Sequence, residues 1–330
     1  MIVNASRRAW LLSSGILLLV TSLRAADVRA ENTELRVAPQ QVRLASRHHR
    51  QQLLVTGRNA RGVDVDHTRG SQFRSENPAV ASVSSSGLIN AVSSGQTTVH
   101  VRFDDRELHV PVRIGTTATE PRVSFRNEVM PILTRLGCNS GGCHGKSTGQ
   151  NGFRLSLLGF EPELDFTALV RESRGRRVSS SQPAQSLLLT KATGRVPHGG
   201  GRRVDLESDY YRILHKWMSQ GVRGPRHDDR VVDRISIQPK QRVLSSQAQQ
   251  QLLVTAHFSD GERRDVTRSV VYQTNSPEIS EVSQDGLVAT HDSGGLFAVL
   301  VRFGDKMDVF RGTVPFEIEA QQPTTAESAP

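Results

Sequence analysis

Gln51-Gln52-Leu53-Leu54-Val55-Thr56 occurs again, residue for residue, as Gln250-Gln251-Leu252-Leu253-Val254-Thr255, 199 positions later. Asp66-x-Thr68-Arg69 returns as Asp265-x-Thr267-Arg268 at the same offset, as do Pro78, Val83, Gly87 and Leu88 in Pro277, Val282, Gly286 and Leu287. Val99-x-Val101-Arg102-Phe103 returns as Val299-x-Val301-Arg302-Phe303 at an offset of 200, so the second copy has gained one residue. Self-similarity over this length constrains the fold more than any other feature, because it requires two similar modules. They run near 35–115 and 233–316 and bracket a middle segment of different character.

Within each module apolar and polar residues alternate, with turn residues recurring about every 8–12 positions. Leu53/Val55, Val80, Val83, Leu88 and Val99/Val101 carry the apolar set in the first copy, and Asn77-Pro78 and Ser86-Gly87 mark turns. That is the pattern of a small antiparallel sandwich. The run Glu76-Asn77-Pro78-Ala79-Val80-Ala81-Ser82-Val83 onward resembles bacterial immunoglobulin-like group 2 domains. The second copy resembles them more loosely, with Ser276 at the Asn position. The tryptophan usual in that family is absent, and Phe73 and Tyr272 are expected to fill its core position. Asp66 and Asp265 read either as turn caps for the next strand or as calcium or glycan contacts.

Composition excludes several classes. With 23% charged and 36% hydrophobic residues, the chain is neither membrane-embedded nor disordered from end to end. Two cysteines exclude a disulfide-dense scaffold. Arg7-Arg8, the apolar run 9–23 and Val28-Arg29-Ala30 form a secretory leader over 1–30. The protein is therefore expected in the periplasm or on the cell surface, with no integral membrane segment after cleavage. Residues 121–225 hold 16 Lys+Arg against 8 Asp+Glu, so the excess positive charge sits in the middle. For an exported chain this indicates an acidic protein partner or an anionic surface and no nucleic acid.

The middle segment carries the chemistry. Phe125, Val129, Ile132, Leu133 and Leu136 fall at helical spacing, as do Tyr210, Ile213, Leu214 and Trp217, with Gly221 as a stop. The first run leads into Cys138-Asn-Ser-Gly-Gly-Cys143-His144. A Cys followed shortly by Cys-His is a covalent haem attachment pattern, two thiols forming thioethers and the adjacent imidazole ligating iron. The usual spacing is two residues and here it is four, with Gly141 and Gly142 expected to take positive φ and loop the extra residues out. Two other readings stand beside it. One is a Cys138–Cys143 disulfide, whose short loop is worth about 2 kcal/mol. The other is a zinc site from Cys138, Cys143, His144 and His198.

Phe125…Met130-Pro131-Ile132-Leu133…Cys138…Cys143-His144-Gly145 and Gly194-Arg195-Val196-Pro197-His198-Gly199-Gly200 resemble the opening and close of planctomycete-type cytochrome c domains, over 121–225. The resemblance implies haem c on Cys138 and Cys143 with His144 as proximal ligand. Val196 replaces the methionine usual in the closing loop, which leaves His198 as the candidate second iron ligand, with His215 and Met218 as alternatives.

His48, His49, His67, His100, His109, His227, His257 and His291 read as ordinary surface residues of the sandwiches. No catalytic constellation stands out, so an enzyme is not expected. The combined expectation is a multidomain chain: leader 1–30, Ig-like sandwich 31–118, small mainly α cytochrome c-like domain 121–225, second Ig-like sandwich 233–316, and a disordered polar tail 317–330. Its expected function is electron transfer to a redox partner protein. The alternative is a non-haem adhesion or envelope-scaffold protein with a Cys138–Cys143 disulfide.

Overall fold

The structure, a computed structural model, describes residues 34–45, 49–59, 62–115 and 122–316. The leader over 1–30 and the tail over 317–330 lie outside the described residues, as does His48.

The first copy forms ten strands: β1 (Glu34–Ala38), β2 (Val42–Leu44), β3 (Arg50–Gln52), β4 (Leu54–Arg58), β5 (Asp64–Asp66), β6 (Gln72–Ser75), β7 (Ala81–Val83), β8 (Leu88–Ala91), β9 (Gly95–Phe103) and β10 (Arg106–Ile114). They pair as β1-β4-β5, β2-β10-β9-β6 and β3-β8-β7, all antiparallel except β2 with β10. Period-two alternation places the faces: in β10, Val110, Val112 and Ile114 point inward while His109, Pro111 and Arg113 point to solvent.

Ten strands of the second copy repeat the plan: β11 (Val232–Gln238), β12 (Gln241–Val243), β13 (Gln249–Gln251), β14 (Leu253–Phe258), β15 (Arg263–Asp265), β16 (Val271–Thr274), β17 (Ser280–Val282), β18 (Leu287–Thr290), β19 (Gly295–Phe303) and β20 (Lys306–Val314). Their sheet orders, β11-β14-β15, β12-β20-β19-β16 and β13-β18-β17, correspond strand for strand to the first copy. The cores correspond too. Leu53, Val55, Ile89, Val99, Val101 and Val110 are matched by Leu252, Val254, Val288, Val299, Val301 and Phe310, all fully buried. Phe73 and Tyr272 pack against these cores and press on Gly87 and Gly286. Both glycines have φ of +76°, and a Cβ would lie 2.9 Å from Phe73 Cζ and 2.6 Å from Tyr272 Oη. Glycine is thus required twice over, by conformation and by space.

The two sandwiches are locked together reciprocally. Asp66 Oδ1 accepts from the Thr68 amide at 2.7 Å, and Asp265 Oδ1 accepts from the Thr267 amide at 2.7 Å. These are the turn caps the Asp-x-Thr motif implied. The second oxygen of each carboxylate crosses to the other copy. Asp66 Oδ2 accepts from the backbone N–H of Gln251 and from Gln250 Nε2, while Asp265 Oδ2 accepts from the backbone N–H of Gln52 and from Gln51 Nε2. Burial pushes both carboxyls above their ordinary pKa of 3.8, and the hydrogen bonds oppose that shift. Gln52 and Gln251, both fully buried, each donate through Nε2 to their own turn, at Ser86 O (2.6 Å) and Asp285 O (2.8 Å). Arg69 Nη2 to Gln251 Oε1 at 3.1 Å and Arg242 Nη1 to Asp64 Oδ2 at 3.4 Å add to the same interface.

The middle segment corrects the expected fold class. It holds a π-helical turn over Phe125–Val129 and four short helices, α1 (Met130–Arg135), α2 (Pro162–Phe166), α3 (Leu187–Ala192) and α4 (Asp209–Ser219). Pro131 sits in the first turn of α1, where its missing N–H costs nothing. Phe125, Val129, Leu133, Leu214, Trp217 and Met218 form a small core. No cytochrome-like domain is formed. The stretch leans on the second sandwich: Arg135 donates to Val270 O and Gln284 O, Tyr210 Oη to Arg268 O at 3.0 Å, and Asn127 Nδ2 to Arg230 O at 2.8 Å. The described residues from Glu34 to Phe316 cluster as one compact unit, mostly β.

Asp66→Asn and Asp265→Asn each keep an oxygen for the turn cap but present an amide to a backbone N–H across the interface. Each is expected to lower unfolding free energy by about 1–3 kcal/mol, measured by urea denaturation. A loss no larger than that of an exposed control such as Asp292→Asn would show that the crossing bonds contribute nothing.

Candidate functional site

The Cys138–His144 loop is set by backbone hydrogen bonds at the end of α1. The Cys138 amide donates to Leu133 O at 2.9 Å, Cys143 to Ser140 O at 3.0 Å, and His144 to Cys138 O at 3.0 Å. Gly145 completes the turn so tightly that a Cβ there would lie 2.0 Å from Asn139 O. The positive φ is at Gly137 (+73°), and Gly141 and Gly142, expected to supply it, do not. Asn139, fully buried, donates through Nδ2 to Thr134 Oγ1 at 2.9 Å and ties the loop to α1.

His144 is half-buried, and its Nδ1 is 3.0 Å from Phe153 O. Burial lowers its pKa, which favours the neutral ring and places the proton on Nδ1 toward that carbonyl. The ring lies against Phe153, whose other neighbour is the Arg177 guanidinium, 4.5 Å from the ring centroid. Arg177 is buried and donates to Ala168 O, Gly152 O and Ser173 Oγ, so it braces this wall. His198 arrives from the loop after α3, with Nδ1 3.0 Å from Gly201 O. The two imidazole rings lie within 6° of parallel with centroids 6.4 Å apart. Met218 is fully buried in the helical core and His215 stacks on Tyr211.

Both cysteines are free, without the disulfide that stood as an alternative reading. Burial pushes the Cys138 thiol up to about 11, offset in part by the nearby Arg203 cation. Among the described residues, the group of three or more His, Cys, Asp or Glu ligand atoms lying within 4.8 Å of one another is His100, Glu107 and His109. Cys138, Cys143, His144 and His198 do not lie within that distance of one another as a group. The trio was missed in the sequence because His100 and His109 are scattered by number. Only their cross-strand register on β9 and β10 brings them together.

Residues 33–112 match the bacterial Ig-like domain (group 2) family. The match covers the first copy, and the second sandwich shares its strand order. Comparison with curated proteins returned no match. Solved structures that resemble the chain over 86% of its length include domains 5–6 of the S-layer protein SbsC, at 13% identity, TM-score 0.33 and 98% of that chain. A longer SbsC fragment follows at 11% identity and TM-score 0.24, of which this chain spans 28%. The C-terminal fragment of intimin, in complex with its receptor's intimin-binding domain, aligns at 10% identity, TM-score 0.19 and 64% of that chain. Scores this low say nothing about the function of this protein.

The family match to an Ig-like domain, together with a middle stretch too short-helixed to form a cytochrome-like domain, overturns the expected function of electron transfer with a redox partner. Among the described residues no helix is long and apolar enough to cross a membrane.

In folded protein made without any attached cofactor, alkylation of Cys138 should accelerate about tenfold per pH unit up to about 11, followed by mass spectrometry of the Cys138 peptide. A rate already level near neutral pH would contradict the burial of that thiol. Gly145→Ala should unfold the loop, read as faster alkylation of Cys138 at neutral pH than in the wild type.

Proposed function

We propose that this protein is a non-enzymatic, surface or extracellular scaffold of the Ig-like adhesin or envelope type. The observation that carries the reading is the reciprocal lock between the sandwiches. Each carboxylate takes backbone N–H groups of the other copy, so the two modules are held at one angle without depending on a linker. Fixed geometry over two Ig-like modules suits a structural element, and the family match at 33–112 supports it. The export leader read from 1–30 supports an extracytoplasmic place.

Cys138, Cys143, His144 and His198 are proposed as a cofactor-holding loop within that scaffold and not as an electron carrier. Their chemistry suits covalent haem c: two free thiols for thioethers, and two near-parallel imidazoles whose Nδ1 atoms face backbone carbonyls, leaving each Nε2 available. Cys138 and Cys143 would hold such a group, which would supply a metal centre that His144 and His198 are the residues to ligate.

Fractionation of producing cells tests the scaffold reading. The protein should appear in the envelope or medium and be cut by protease added to intact cells, whereas confinement to the cytoplasm would overturn it. Intact mass of the same material tests the loop separately. An excess of one haem over the polypeptide is expected, and a bare polypeptide mass would remove the cofactor while leaving the scaffold reading in place.

A further inference from the structure

We infer that His100, Glu107 and His109 form a surface site for a divalent transition metal of the Zn2+ type, on the outer face of the β9–β10 hairpin. His100 and His109 are directly paired across the two strands, and Glu107 precedes His109 by two residues, so all three share one face. One ligand atom from each lies within 4.8 Å of the others. The rings of His100 and His109 stand edge-on with centroids 4.7 Å apart. Two imidazoles and a carboxylate are a donor set that Zn2+ accepts readily, and three protein ligands leave a fourth position for water or for a donor from a partner.

The surroundings also carry the mark of an oriented ligand. His100 Nδ1 is 2.6 Å from Glu107 Oε1, while its Nε2 is 2.8 Å from Glu76 Oε1. Glu76, just beyond β6, thus holds a proton on Nε2 and turns Nδ1 toward Glu107 and His109. A carboxylate behind a ligating histidine is the arrangement that fixes ring orientation at metal sites. The metal takes the place of the Nδ1 proton, which leaves to solvent. Arg74, paired with His100 in register, brings a positive charge that the Glu76 and Glu107 carboxylates together outweigh.

The repeat supplies the control. In the second copy the equivalent positions are Leu300, Met307 and Val309, Leu300 and Val309 are paired across β19 and β20 in the same way, and Asn275 stands in place of Glu76. The same hairpin therefore forms without any of the four polar groups. Strand pairing does not require them, and all four are found together in the one copy.

The test compares the full chain with a variant carrying His100→Leu, Glu107→Met and His109→Val, the residues the second copy already uses on this hairpin. In Zn2+ titration calorimetry the wild type should bind one equivalent more than the variant. Any metal taken by the Cys138–His144 loop is common to both and cancels. Glu76→Gln should weaken that equivalent by about 10–100-fold without abolishing it. Should the triple variant fail to fold, His109→Ala, an exposed truncation, serves instead and should likewise lose the equivalent. Equal stoichiometry and affinity in wild type and variant would overturn the site.

Discussion

A carboxylate that accepts from a backbone N–H of another module is hard to replace. The donor is main chain, so no ordinary side-chain change on the donating strand removes it, and only an acceptor of the right reach on the opposite strand satisfies it. Asp66 and Asp265 make this bond in both directions, each spending one oxygen on its own turn and the other on the opposite sandwich. The donors, Gln52 and Gln251, complete the arrangement with buried side chains that hold the adjacent turns, at Ser86 and Asp285.

The helical stretch leans on the second sandwich. Its helices are short, the longest being the eleven residues of α4, and isolated helices of that length are marginal in water. They persist by packing Trp217, Phe125 and Leu133 together and by anchoring Arg135 and Tyr210 on carbonyls of the second sandwich. The Cys138–His144 loop is then held at the end of α1 by backbone bonds that leave no room for a side chain at Gly145. His198 meets His144 because α3 and the loop after it pack on the same small core, not because the two are near in sequence.

How much was legible from residues differs sharply between these layers. The sandwiches were legible because period-two alternation and recurring turn residues are local, and a copy 199 residues away confirmed each assignment. The cap role of Asp66 was legible for the same reason, since Asp-x-Thr places acceptor and donor two residues apart. Its reach to Gln251 was not, although the unbroken recurrence of Gln-Gln-Leu-Leu-Val-Thr marked that strand as special. Arg177 belongs to the basic middle segment, and its carbonyl partners make it a buried brace.

Composition, repeat and turn chemistry therefore determined on their own that the chain contains two similar β-sandwiches with an apolar core of matched positions. They also located the cysteine loop and the helices beside it. Tertiary structure alone decided that the sandwiches clasp one another, that the helical stretch rests on them without forming a cytochrome-like domain, and that His100, Glu107 and His109 share a face. The physical reason is range. Alternation, capping and turn formation act over a few residues, whereas cross-strand register and interface hydrogen bonds join residues whose separation in the chain carries no information about their distance in space.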